Sequence, residues 1–353
     1  MKKLLRLLIA VCLFASMAFV LAGCDPVDPD GPKSIKVVVP DGAPLLSLTK
    51  MWAEDFGVDD GYEISYEKLT GADQLTAALM LSDPDFAIAP INVCAKMYND
   101  GKGYRFAGVS IWGIMHIVSN QSISTVAELK GQNVFAFAKA GTPGITIRSI
   151  LAQNNIVFSE NVDGTVAPNE VNIIYLSEAG DVRNAIVAGT MGGVEVKFAL
   201  LPEPVATAIA GATASLTHGP FTAKINLQTE WKAKNDGEMY PQAGLIFHER
   251  LLENDKAFVD KFIALAEMST TWANDNPELA GNAAKEELGS TAIPGGAPVK
   301  AAVNAGRLPL VFTYAKDAKA AVEAYLTIIK NDSVNSANLI GGKLPDDEFY
   351  YSK

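Results

Sequence analysis

Cysteine is scarce in this sequence, with three in 353 residues, at Cys12, Cys24 and Cys94. Two fall in the first 24 positions, so Cys94 stands alone in the body and no internal disulfide framework is available. Histidine is equally rare. His116, His218 and His248 lie far apart, without HExxH spacing or paired cysteines to complete a metal site. There is no GxSxG elbow and no GxxxxGKS loop, and the glycine-rich AGTPG at 140–144 lacks the Lys-Ser/Thr of a nucleotide loop. Neither catalysis nor a metal or cofactor is expected. Positive charge is short as well: 29 Lys and Arg face 40 Asp and Glu, a net charge of −11. That balance argues against nucleic acid, which needs a basic footprint, and gives no attraction to an anionic membrane surface. No repeat of solenoid period occurs, and long apolar runs are limited to one.

That run opens the chain. Lys2, Lys3 and Arg6 precede an almost wholly apolar stretch from Leu7 to Val20. The length suits a secretory leader and is short for a spanning helix, which needs about 20 apolar residues. It ends in Leu21-Ala22-Gly23-Cys24, which resembles a bacterial lipobox with Cys24 as the lipid-bearing residue. From Asp25 to Lys33, Pro26, Pro29 and Pro32 alternate with Asp and Gly, a composition that stays extended as a tether. Removing the three leader cations takes −11 to −14 for the mature chain. The roughly 320 residues beyond the tether exceed one small core and suit two lobes.

Along the body, strand-like and helix-like segments alternate, the pattern of a parallel sheet packed on both faces. Strands are expected at 35–39, 63–67, 85–89, twice within 105–119, and at 133–138, 172–176 and 198–201. Helices are expected at 45–55, 72–81, 91–98, 126–130, 142–153, 181–188 and 205–211. Past Thr229 the chain reads as mainly helical, with Phe258, Phe262, Leu265 and Trp272 on one face of a long helix.

Four junctions share one form: strand, a break containing Pro, then helix. They are Val39-Pro40-Asp41-Gly42-Ala43-Pro44, Ile88-Ala89-Pro90-Ile91, Ala138-Lys139-Ala140-Gly141-Thr142-Pro143-Gly144 and Leu201-Pro202-Glu203-Pro204. Pro suits a first helical turn because its missing donor would be unpaired there. Thr142 before Pro143 suits an N-cap. Each junction is expected to place a helix N-terminus, with its unpaired N–H groups, beyond the carboxyl end of a strand, where open α/β sheets bind ligands. Two junctions fall before residue 119 and two after, so they face each other if the halves are lobes.

Leader, tether and junctions resemble the solute-binding lipoprotein of a bacterial ABC importer. More narrowly, the chain is similar to the nitrate/sulfonate/thiamine-precursor (NMT1/THI5-like) branch of type 2 periplasmic binding proteins. The stretches that carry the resemblance are VVPDGAPLLSLTKM, FAIAPINVCAKMYN, VAELKGQNVFAFAKAGTPGITIRSIL, FALLPEPVATA and GGKLPDDEFYY, covering nearly all of 34–353. It implies an α/β fold of two lobes, each a mostly parallel sheet flanked by helices, hinged about a central cleft. The division it implies is 1–23 leader, 24–33 anchor and tether, 34–118 first part of lobe one, 119–233 lobe two, and 234–353 the return to lobe one with carboxyl-terminal helices. The second crossing is expected within 225–240. The implied partners are a small-molecule ligand, a permease with its ATPase, and a membrane reached through a lipid on Cys24; the receptor itself would be a monomer outside the cell membrane. The family usually has an acidic residue where this chain has Lys197, with Glu195 two positions earlier, so ligand identity does not carry over. Enzymes of the same superfamily, the thiamine-pyrimidine synthases, have a cysteine-rich motif that this chain lacks. A sensory or scaffold lipoprotein is the third reading.

The candidate ligand contacts are Asp41, Gly42, Ala43 and Pro44 in the first junction, Asn92 in the second, and Trp112 and His116 near the crossing. In the third and fourth they are Lys139, Gly141, Thr142, Pro143 and Glu203. The simpler readings are a capped helix for Asn92 and Thr142, core packing for Trp112, a satisfied histidine for His116 and an exposed first-turn carboxylate for Glu203. Cys94 reads as a small core residue, and Asp346 and Asp347 as solvated. Trp112, Phe137 and Phe198 suit a small heteroaromatic solute such as a vitamin precursor of the thiamine-pyrimidine type. A sulfonate or nitrate held by helix N-termini is the alternative.

Overall fold

The computed structural model describes residues 31–54, 61–331 and 335–352. The leader, Cys24 and the tether as far as Asp30 lie outside the described residues. The chain divides into a small unit, of which 31–34 and 61–63 are described, and a large one holding the rest. In the small unit the Lys33 ammonium lies 5.9 Å over the Tyr62 ring.

In chain order come β1 (Lys33–Pro40), α1 (Ala43–Leu46), α2 (Thr49–Glu54), β2 (Tyr62–Leu69), α3 (Ala72–Met80), β3 (Phe86–Pro90), α4 (Ile91–Asn99) and β4 (Tyr104–Trp112). Next are β5 (Met115–Ser119), β6 (Asn133–Phe137), α5 (Thr142–Gln153), β7 (Val157–Ser159), β8 (Glu170–Leu176), α6 (Ala179–Ala188), β9 (Thr190–Met191), β10 (Val194–Glu195), β11 (Phe198–Pro202), α7 (Val205–Thr213), β12 (Thr222–Asn226) and α8 (Leu227–Lys234). Then follow β13 (Pro241–His248), α9 (Leu251–Asn254), α10 (Lys256–Asp275), α11 (Pro277–Glu286), α12 (Gly296–Asn304), β14 (Thr313–Tyr314) and α13 (Ala315–Asn331).

Two six-stranded sheets form, in the orders β14-β4-β13-β3-β1-β2 and β12-β5-β11-β6-β8-β7, with β9 and β10 as a separate hairpin. The α/β class and the two helix-flanked sheets agree with expectation, but the sheets are mixed rather than mostly parallel in the first. There β1 and β3 run parallel while β13 runs antiparallel to both β3 and β4. In the second, β12, β11, β6, β8 and β7 run in one direction and β5 opposes them. The cause is the crossing itself. A strand arriving from the other sheet, β5 outward or β13 on return, starts at the end where the local strands finish.

The chain leaves the first sheet after Trp112 and enters the second at Met115, so the expected boundary at Val118 falls inside β5. It returns between Lys234 and Pro241. The two crossings are bonded to each other: Gly113 N–H donates to the Tyr240 carbonyl (3.0 Å) and Met115 N–H to the Tyr240 hydroxyl (3.3 Å). Gln228 Oε1 accepts from Tyr240 N–H at 3.0 Å.

Burial follows strand position. β3 and β13 are buried almost throughout, as central strands covered on both faces must be, whereas β2 alternates like a half-exposed edge. β13 is the largest departure from the expectation of helix past Thr229. Its run Ala243-Gly244-Leu245-Ile246-Phe247 is too short for periodicity to separate strand from buried helix. Gly244 is the informative residue. A Cβ there would meet the Phe106 ring at 2.4 Å and the Gly108 carbonyl oxygen at 2.7 Å, so the neighbouring backbone needs that space.

Candidate functional site

The four junctions sit in two pairs. β1 and β3 are parallel neighbours in the first sheet and β6 and β11 in the second, and each of these strands runs at its carboxyl end into a Pro-containing junction. The second and third junctions, one from each sheet, meet across the gap between them. Asn92, in the first turn of α4, donates through Nδ2 to the Ala140 carbonyl (3.2 Å) and to that of Leu339 (3.3 Å). Thr142 Oγ donates to the Gln242 carbonyl at 3.1 Å. Further along α5, Arg148 donates to Asn335 Oδ1 at 3.0 and 2.8 Å.

Several candidates have their polar groups taken by the protein. The Asp41 carboxylate bonds the Ser290 hydroxyl, both the N–H (2.9 Å) and hydroxyl (2.9 Å) of Thr291, and the Gly42 N–H (2.8 Å). It staples the 290–292 loop to the first junction, and the Gly42 donor is spent on it. Gly42 has φ 101°, which explains glycine there without a ligand. Ala43 and Pro44 open α1, with Ala43 buried.

Burial pushes the Asp41 carboxyl upward, but hydrogen bonds from Ser290, Thr291 and Gly42 outweigh it and hold it below the ordinary aspartate value. These bonds therefore contribute stability above about pH 4 and lose it as pH falls through the lowered value. Asp41→Asn is expected to cost about 1–2 kcal/mol at pH 7 and to flatten the acid limb of stability. Urea melts at pH 7 and pH 3 check both parts; a variant as stable as the parent at pH 7 contradicts the staple.

In the third junction the Gly141 and Gly144 N–H groups both turn back to the Ala138 carbonyl, at 2.9 and 3.3 Å. Gly141, not Thr142, is the N-cap of α5, because the Thr142 hydroxyl is committed to Gln242. Pro143 fills the first turn and is buried. A Cβ on Gly144 would lie 2.5 Å from the Lys139 carbonyl oxygen, so the turn itself demands glycine. The Lys139 ammonium pairs with Glu160 at the surface and lies over the Tyr175 ring. In the fourth junction Glu203 is fully buried rather than exposed. Its Oε2 accepts from Thr207 N–H at 2.9 Å, and its Oε1 lies 2.8 Å from Arg307 Nε and 4.0 Å from His116 Nδ1.

Among the buried polar atoms with no hydrogen-bond partner in the described residues are Asn92 Oδ1, Trp112 Nε1, His116 Nε2 and Gln242 Oε1. The four residues are 2, 5, 2 and 8% exposed. Burial pushes the His116 pKa down; Glu203 and the Ile114 carbonyl pull it up without restoring the ordinary value, and Arg307 adds to the lowering. The ring is neutral at pH 7. Its Nδ1 lies 3.2 Å from the Ile114 carbonyl oxygen, so the proton sits there and Nε2 carries the lone pair. Gln242 is the residue that sequence reasoning missed. Pro241 pairs with Trp112 and Ala243 with Ile111, so Gln242 is the extra residue of a β-bulge, a feature common beside binding sites.

Elsewhere, Phe137 and Phe198 are core residues, and Lys197 pairs with Glu195 at 2.9 Å. Cys94 is buried, with its Sγ 3.4 Å from the Ala89 carbonyl oxygen, and burial pushes its thiol pKa up. Asp346 and Asp347 bond Tyr98 and Lys319. An open depression of about 630 Å³ beside β8 and α6 is lined by Tyr175, Ser177, Asp181 and Asn184 among others and contains none of the predicted residues. Among the described residues, no group of His, Cys, Asp and Glu is placed to hold a metal ion, and no helix is long and apolar enough to cross a membrane.

Solved structures with the same arrangement cover most of the chain. An ABC transporter protein from Parabacteroides distasonis superposes with a TM-score of 0.68 at 21% identity, over 91% of this chain and 99% of its own. The fold is that of the periplasmic binding proteins. The periplasmic aliphatic sulphonate binding protein SsuA from Escherichia coli gives 0.62 at 16% identity, over 89% and 92%. The alkanesulfonate-binding protein SsuA from Xanthomonas axonopodis pv. citri, bound to MOPS, gives 0.59 at 16%, over 90% and 96%. No family model matches the chain, and no curated protein matches it.

Proposed function

We propose that this protein is the solute receptor of an ABC importer, held outside the cell membrane by a lipid on Cys24, and that it passes its solute to a permease driven by an ATPase. It is a binder, not an enzyme. The observation that carries the reading is the meeting of the second and third strand–helix junctions, one from each sheet, beside buried polar atoms that have no partner among the described residues. The fold shared with proteins whose names state transport or sulfonate binding supports it. Lobe one holds the sheet of β1 and lobe two the sheet of β6, and solute enters when they part about the crossings at Gly113 and Tyr240. A heteroaromatic vitamin precursor suits the indole and imidazole edges of Trp112 and His116. An oxyanion suits them less, because the Gly42, Gly141 and Gly144 N–H groups are already bonded.

The test is a refolded chain, stripped of carried-over solute, in a thermal-shift screen over pyrimidines, thiamine, riboflavin, sulfonates, nitrate and amino acids. A solute at 100 times its Kd stabilises the folded state by about 2.7 kcal/mol, a clear upward shift in Tm. A cooperative melt that no compound moves argues against a receptor for these solutes.

A further inference from the structure

We infer that the solute is an uncharged, N–H-bearing molecule of the amide, lactam or sulfonamide class, read by the Asn92 Oδ1 acceptor and the Gln242 amide; this rests on the receptor reading above. The Asn92 amide orientation is forced. Its Nδ2 donates to the Ala140 and Leu339 carbonyls, and turning the amide over would set Oδ1 against two carbonyl oxygens. Oδ1 is therefore an acceptor, buried and without a protein partner. The Gln242 side-chain amide is also buried, with Oε1 lacking a partner among the described residues, and it presents an acceptor and a donor together. The two residues are tied to the same turn, since Ala140 accepts from Asn92 while Thr142 donates to the Gln242 carbonyl. Across the other edge of β13, Trp112 sits opposite Pro241 and offers one N–H donor. His116 Nε2 adds a further lone pair on the second sheet.

Asn92 Oδ1 and His116 Nε2 accept, Trp112 Nε1 donates and the Gln242 amide does either, so the set carries no net charge. An anion brought to it would face the lone pairs of Asn92 Oδ1 and His116 Nε2 after losing its own water, with no free cation beside it among the described residues to replace that water. The cations near the junctions are engaged: Lys139 with Glu160, Arg148 with Asn335 and Tyr175, Arg307 with Glu203. The buried Glu203 carboxylate is already matched by Arg307, so a cationic solute finds no uncompensated negative charge there. A buried acceptor left without a hydrogen bond is destabilising. Closing the lobes withdraws these atoms from water, and a solute with N–H donors offsets that cost. The same atoms that select the solute then make closure depend on it.

The experiment uses matched probes of one shape and different charge: benzamide, benzoate and benzamidine, and methanesulfonamide with methanesulfonate. Binding to the refolded chain is measured by calorimetry at pH 7. The neutral member of each set is expected to bind at least tenfold tighter than its charged counterparts. Gln242→Met keeps the side-chain length and removes the acceptor; it is expected to weaken the neutral probe at least tenfold while Tm without probe stays within a few degrees. Tighter binding of benzoate, methanesulfonate or benzamidine overturns the inference and leaves the receptor reading standing. So does an unchanged affinity in Gln242→Met. A cooperatively melting chain that binds none of the five overturns the inference, and if the wider solute screen is also silent the receptor reading falls with it.

Discussion

Arg307→Ala is expected to lower the unfolding free energy by about 3 kcal/mol, because it strands the Glu203 carboxylate, which is fully buried, without its cation. Arg307 follows α12, which packs on α11, and α11 packs on α1 and α2 beside the first sheet. Its guanidinium crosses to the second sheet's fourth junction, 2.8 Å from Glu203 Oε1, and donates to the Thr207 hydroxyl at 2.6 Å. The pair therefore holds the two halves together as well as neutralising a buried charge. Glu203→Gln in the Arg307→Ala background removes the stranded charge and is expected to recover about half of the loss. Urea melts of the two variants and the parent decide it. A single variant within about 0.5 kcal/mol of the parent would mean that water, not Arg307, solvates Glu203.

Gly113→Ala is expected to cost about 2–3 kcal/mol, and more than an alanine at an exposed glycine such as Gly211. The new Cβ would lie 2.4 Å from two atoms of the Tyr240 ring and 2.9 Å from Gln228 Cδ. The ring has nowhere to go: Tyr240 is fully buried against Trp231 and Tyr325, with centroids 5.6 and 6.2 Å away. Either the ring shifts and breaks its hydroxyl's bond to Met115 N–H, or the crossing strand moves outward. Both disturb the paired crossings, and on the receptor reading proposed above solute affinity is expected to fall along with stability. Thermal melts and titration with any solute found by the screen check the two effects; a variant that melts with the parent contradicts the tight crossing.

The alternation of strand and helix was legible because the central strands are continuous apolar runs and the helices begin at Pro, as at Pro143 and Pro44. The strand–helix junctions were legible for the same reason. What those junctions do with their polar groups was not, because the deciding partners are distant in sequence. Asp41 finds Ser290 and Thr291, about 250 residues on, and Glu203 finds Arg307, about 100 residues on; nothing local marks either pairing. Thr142 reads as a cap in sequence and is bonded to a strand of the other sheet. Gln242 was invisible because a mainly helical reading past Thr229 marks no strand at 241–248, and a bulge depends on the register of a partner strand. Pro241 before a short apolar run with Gly244 inside it was the available signal.

The most direct test of the central claim, that solute is bound where the second and third junctions meet beside the two crossings, is amide hydrogen exchange on the refolded chain with and without a solute from the screen. The account predicts slowed exchange in four segments together, 90–93, 112–117, 138–146 and 240–244, drawn from both sheets and both crossings. Protection confined to one sheet, or to 175–191 around the depression beside α6, would contradict it and move the binding site elsewhere.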